Sequence, residues 1–94
     1  MLFALIYRDK PGQASVRARH RHSHLSYLRV FNDQIIMAGP LLSDDRSHSL
    51  GSLLVMEFPD RRAAEAFSQD DPFNGAGIFE SVVIRPYKNM FPEI

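Results

Sequence analysis

The sequence predicts an α+β domain: a four-stranded antiparallel sheet with two helices on one face, in the order βαββαβ. Three observations carry that reading. Four short apolar runs, at residues 2 to 8, 34 to 42, 52 to 58 and 81 to 87, are bounded by turn residues and are too short for helices. Between the first and second lies a stretch free of Gly and Pro, with Leu25, Leu28 and Phe31 spaced three residues apart. Between the third and fourth, "RRAAEAFSQ" is rich in helix formers.

The first run, "LFALIYR", is apolar and aromatic and ends in the turn signal "DKPG", as a buried strand would. The helical stretch begins at Ser15, which would cap it, or at Ser23, which would cap a shorter helix after an irregular lead-in. "QIIMAGPLL" is the second strand, and Gly39-Pro40 marks a bend or a sheet edge. "SDDRSHSLG" is a polar turn leading to the third strand, "SLLVMEF". Asp60 caps the second helix, "DDPFNGAG" breaks it, and "SVVIRPY" is the fourth strand. This order is that of the ferredoxin-like plait. Right-handed crossovers place the first and third strands at the centre of the sheet. Both alternating sets of positions in "LFALIY" and "SLLVMEF" are apolar, so the sheet face without helices also expects cover. A homodimer formed through that open face would supply it, and a higher oligomer is compatible. The tail "KNMFPEI" is apolar enough to dock as well.

The 94 residues make one domain, residues 1 to 94. Eleven basic and eleven acidic residues cancel, which gives no support for a nucleic-acid partner. The absence of cysteine excludes disulfides, thiolate nucleophiles and Cys-based zinc sites within the chain. "MLFALIYRDK" lacks the pattern of a signal peptide, and no stretch approaches the ~20 apolar residues of a membrane span. A cytoplasmic protein without membrane association is the expectation.

The chain order also predicts which segments meet. Asp9, the start of the first helix, the loop at residues 43 to 50 and Asp70-Asp71 should share one rim, where groups from separate segments converge. One of those segments contains "RHRHSHL", three histidines in alternation. At roughly 100° per residue, Arg21 falls about 20° and His24 about 40° from Leu28, the middle of the buried face, whereas His22 points about 120° away. His20 lies on the flank. His20 and His24 are one turn apart, as two metal ligands would be, but His22 cannot join them and there is no HExxH motif. No metal and no cofactor are expected. Arg19, His20 and His22 read as flank and solvated face.

His24 differs because Arg21 shares its stripe and carboxylates share its rim. A histidine between apolar neighbours and a carboxylate suits general acid–base work. Asp71 before Pro72 reads first as a helix N-cap, and one carboxylate can both cap and face a site. Asp9 before "KPG" is a turn residue by default, but its place at the end of a central strand would also let it orient His24.

The chain resembles the YciI-like, or YCII-related, family over nearly its whole length. The residues are Asp9 closing the first strand, "RHSHL" at 21 to 25 against the pattern R-x-x-H-L, "AGPLL" at 38 to 42, and "AFSQDDPFNGAGIFESVVIRPYK" at 66 to 88, which carries the DPF motif. The resemblance implies a dimeric α+β barrel and a His-Asp active site: His24 with Asp9 and, through the DPF motif, Asp71. One branch of the family resembles dehydrochlorinases of chlorinated aromatics. Many members carry Pro where this chain has His22, which leaves both starts of the first helix open.

Two functions follow as expectations. In the first, His24, oriented by Asp9 or Asp71, moves a proton on a small polar substrate in an elimination, dehydrochlorination or isomerisation. Arg21 holds an acidic group, and Gly39, Pro40 and Phe73 complete the binding site. In the second, the domain is a non-catalytic dimeric binder of small molecules or an accessory module. A His24 remote from any carboxylate and from any cavity would mark the second.

Overall fold

Four strands and two main helices alternate in the computed structural model, which describes residues 1–93. They are β1 (Leu2–Asp9), α1 (Ala14–Val30), β2 (Ile35–Leu42), β3 (Ser49–Glu57), α2 (Arg61–Asp70) and β4 (Phe79–Pro86). A short 3-10 turn, Asn32–Gln34, follows α1, and a four-residue helix, α3 (Pro72–Gly75), follows α2. The strand order is β2-β3-β1-β4, with every neighbouring pair antiparallel. This is the ferredoxin-like arrangement expected from the sequence, with β1 and β3 at the centre.

Alternation along the strands explains where the core sits. Phe3, Leu5 and Tyr7 are buried on one face of β1, in register with Met56, Leu54 and Ser52 of β3. Phe67 and Ala64 of α2 close on them, and Tyr27, Leu28 and Phe31 of α1 pack at the margin. Both helices therefore cover the same face. Each fully buried side chain of this size contributes about 1.5–3 kcal/mol. The opposite face carries the row Val83–Ile6–Leu53–Gly39, one residue from each strand. Ile6 and Val83 are exposed there, as are Met37 and Leu41 in the flanking rows.

Three element starts differ most from expectation. α1 begins at Ala14, and neither Ser15 nor Ser23 caps it. Gly12, at φ 74°, turns the chain straight into the helix, and the Gln13 carbonyl already accepts Arg17 N–H at 2.9 Å. β3 starts at Ser49 because backbone pairing with Leu42 needs no apolar side chain. β4 likewise starts two residues early, at Phe79, opposite Asp9. Asp60 caps α2 as expected, accepting from Ala63 N–H. No helix among the described residues is long and apolar enough to cross a membrane.

Candidate functional site

The DPF segment builds one side of the site. Asp71 ends α2 in an extended conformation and Pro72 opens α3, so Asp71 becomes the N-cap of the short helix. Its Oδ1 accepts Phe73 N–H at 2.9 Å. The same oxygen lies 2.9 Å from His24 Nδ1, which reaches it from α1. The Asp71 side chain is 1% exposed and that of His24 12%. An ionised carboxylate only accepts, so Nδ1 carries the hydrogen and Nε2 is the free nitrogen of His24. Phe73 lies flat against the imidazole, with ring centroids 3.8 Å apart and planes 4° from parallel. The ring is thus held by a bond at one edge and by stacking on one face.

Asp9 does not reach His24. It binds Arg17 in a two-pronged pair, Nε to Oδ2 at 2.6 Å and NH2 to Oδ1 at 3.0 Å. The long helix explains this. A start at Ser23 would have set His24 in the first turn, near the end of β1. A start at Ala14 puts Arg17 there instead, two turns upstream of His24. Arg17 also donates to the Gly51 carbonyl at 3.1 Å and to Ser52 Oγ at 3.0 Å, tying α1 to β3. Its guanidinium sits 5.0 Å from the centre of the Phe73 ring. The charge of Arg17 is therefore taken up by Asp9 within the protein.

A cleft of about 410 Å³ opens between α1 and the sheet beside this constellation. Arg17, Arg21, His24 and Phe73 line it from the helical side, and Ala38, Gly39 and Pro40 line it from β2. Ser47, His48 and Ser49 close it from the β2–β3 hairpin. Its size suits a single-ring small molecule. Arg21 is exposed and heads no ion pair among the described residues, unlike Arg17. Gly39 offers backbone only, since its row lies on the opposite face, whereas Pro40 stands in register with Ser52 on the cleft side. His22 is exposed, and His20 is half-buried. Among the described residues no three His, Asp or Glu side chains are grouped to hold a metal ion.

Beneath the site, Tyr7 is 1% exposed and its hydroxyl has no hydrogen-bond partner among the described residues. Burial pushes the phenol well above its ordinary range, and the nearby Asp71 charge adds to that.

Arg17 is legible in the sequence from helical spacing. Seven residues make about two helical turns, so Arg17 falls about 20° from His24 on the same stripe, provided the helix already runs at residue 17.

The model of the YCII-related domain matches residues 1–88. The protein YciI of Escherichia coli O6:H1 is 31% identical over 98 residues, covering 97% of this chain and all of that protein. A 5-chloro-2-hydroxyhydroquinone dehydrochlorinase from Burkholderia phenoliruptrix, solved in complex with 2,5-dihydroxybenzoquinone, superposes with a TM-score of 0.89. It is 32% identical, with 96% of each chain covered. A crystal structure of an antibiotic biosynthesis monooxygenase shares the fold at a TM-score of 0.55 and 13% identity.

Proposed function

The chain belongs to the family of YCII-related domains, and from that membership we propose that it is an enzyme that moves protons on a small molecule. The reaction is an elimination or isomerisation, with His24 as general base and acid and Asp71 as its orienting carboxylate. The observation that carries the proposal is the 2.9 Å contact between His24 Nδ1 and a buried Asp71 oxygen at the wall of a cleft. Neutral His24 offers the Nε2 lone pair to an acidic proton, and the resulting imidazolium is stabilised by the Asp71 carboxylate. Stacking on Phe73 restricts the ring to one plane. Arg21 holds an anionic oxygen of the substrate, because it is the guanidinium on this wall whose charge is not taken up by a carboxylate among the described residues. Asp9 acts through Arg17, keeping the start of α1 fixed against β3.

The dehydrochlorinase relative supports an elimination and suggests the substrate class, a small hydroxylated ring with an acidic hydroxyl. The test is turnover of 5-chloro-2-hydroxyhydroquinone and binding of 2,5-dihydroxybenzoquinone by the wild type and by His24→Asn. Loss of turnover in a folded His24→Asn protein is the expected result. A variant that folds and turns the compound over at the wild-type rate refutes the proposal.

The reading includes a homodimer that closes an α+β barrel over the open sheet face. Exposed Ile6, Met37, Leu41 and Val83 on that face support it, as do exposed Met90 and Phe91 in the tail. Sedimentation equilibrium should find twice the chain mass for the wild type and a monomer for Ile6→Lys. A monomeric wild type at micromolar concentration would remove the dimer from the reading.

A further inference from the structure

We propose that His48 is a second proton-transfer group of the same cleft, acting on the molecule that His24 acts on. The inference rests on the function proposed above and deepens it. His48 stands in the β2–β3 hairpin and lines the cleft together with His24 of α1. It also borders a second, larger cleft of about 740 Å³, lined by Arg8, Asp9 and Lys10 from β1 and the turn after it, and by Glu80 of β4. On the first cleft, the charged groups that share its walls are Arg17 and Arg21.

The hairpin holds the His48 ring in one protonation pattern. Asp45 Oδ1 accepts from Ser43 Oγ at 2.7 Å, from Ser47 Oγ at 2.7 Å and from Ser47 N–H at 3.0 Å. These bonds, Ser43 foremost, lower the Asp45 pKa to about 2, so it is an acceptor only. Each serine hydroxyl has one hydrogen, and both hydrogens are spent on Asp45. What the two oxygens present to His48 is lone pairs. Nδ1 of His48 lies 2.9 Å from Ser47 Oγ and 3.4 Å from Ser43 Oγ. Nδ1 therefore carries a hydrogen, and Nε2 is left free to exchange a proton. His24 has the same polarity, with a carboxylate bound directly at Nδ1. In His48 the carboxylate is bound through a hydroxyl.

Two such rings bordering one cleft allow a proton to leave one atom of a substrate while another arrives elsewhere. On 5-chloro-2-hydroxyhydroquinone, His24 Nε2 takes the proton of the hydroxyl beside the C–Cl carbon. That O–H pair becomes a C=O bond, and the neighbouring C=C pair takes a proton from His48 at the carbon that bears chlorine; His48 enters as imidazolium and leaves neutral. The para hydroxyl then loses its proton to water, its O–H pair becomes the second C=O, the ring π pair forms the new C=C bond, and chloride leaves with the C–Cl pair. The net loss is HCl, so no oxidant or reductant is needed. Exposed His48 regains its proton from water.

The test uses ¹⁵N NMR of the histidine rings and turnover of the chlorinated hydroquinone. In the wild type, neutral His48 should show the hydrogen on Nδ1, and Ser47→Ala together with Ser43→Ala should release that preference. His48→Gln should lower kcat by about 100-fold with little change in KM, in the range expected for loss of one acid–base group. Added imidazole should restore part of the rate to His48→Gly. A hydrogen on Nε2 in the wild type overturns the proposal. So does an unchanged kcat in His48→Gln, or a folded His48→Gly protein that imidazole does not rescue. The His24→Asn control separates the two ideas. A loss there without a loss in His48→Gln leaves the proposed function standing and removes this one. No loss in His24→Asn removes the function itself.

Discussion

Asp71→Ala and Asp71→Asn separate the two duties of a single buried oxygen. Oδ1 caps α3 through Phe73 N–H and accepts from His24 Nδ1, both at 2.9 Å. Removing the cap costs about 1 kcal/mol. Removing a hydrogen bond with one ionised partner costs about 1.5–3 kcal/mol. Part of this is offset because a nearly inaccessible carboxylate no longer has to be kept out of water. Alanine is therefore expected to destabilise by about 2–4 kcal/mol. Asparagine keeps an oxygen for the cap and loses mainly charge assistance, about 1 kcal/mol. With a urea slope of about 1 kcal/mol per molar, the midpoints fall by about 2–4 M and about 1 M. Turnover should separate differently. The oxygen that keeps the cap still accepts from His24 Nδ1, so the ring tautomer is retained, but the negative charge that stabilises the imidazolium formed on proton transfer is lost. Asn should thus lose about 100-fold or more in kcat despite its near-native stability. Equal destabilisation by the two variants would refute the cap assignment. Turnover by Asn within about threefold of wild type would refute the role of the carboxylate charge.

Five further outcomes test the surroundings of the site. Gly51→Ala should cost more than about 3 kcal/mol in urea unfolding, because a Cβ there would stand 2.0 Å from the Tyr7 carbonyl oxygen. Gly75→Ala meets nothing within 4 Å, so it should be neutral or gain up to about 1 kcal/mol. Arg17→Ala should cost about 3–5 kcal/mol by leaving Asp9 charged and enclosed, and the double variant with Asp9→Ala should cost no more than either single one. Tyr7→Phe removes a buried hydroxyl without a partner and should leave stability unchanged or raise it by about 1 kcal/mol; a loss would show that the hydroxyl is bonded in solution. The Asp45 carboxyl is held low, to about 2, so its bond to Ser47 N–H is fully formed above pH 4 and lost as pH falls through about 2. The Ser47 amide shift should titrate with that midpoint, and a midpoint near 4 would contradict it.

The fold was legible because each of its decisions is made locally. Short apolar runs between turn residues cannot be much other than strands at this chain length, and the βαββαβ order leaves one antiparallel arrangement once crossovers are right-handed. Element ends were less legible because pairing partners, not the residues themselves, set them. Ser49 is strand because Leu42 lies opposite, which no property of Ser49 announces.

The site divides along the same line. The meeting of His24 with Asp71 was reachable from topology, since both belong to the rim where α1 starts and α2 ends. Which aspartate meets the histidine was not reachable, because it turned on a single backbone decision. Gly12 at positive φ commits the chain to helix at Ala14, nine residues before the later of the two candidate caps. That start hands Asp9 to Arg17 and leaves Asp71 to His24. It also carries Arg21 onto the cleft wall as a cation that no carboxylate among the described residues pairs with. His48 was hidden for a different reason. In sequence it is one residue of a polar turn, and only the shared acceptance of two serine hydroxyls by Asp45 decides which nitrogen of its ring holds the hydrogen. Residue type nominates a histidine for proton transfer; what selects it is the partner at its other nitrogen, and that partner is a property of the folded chain.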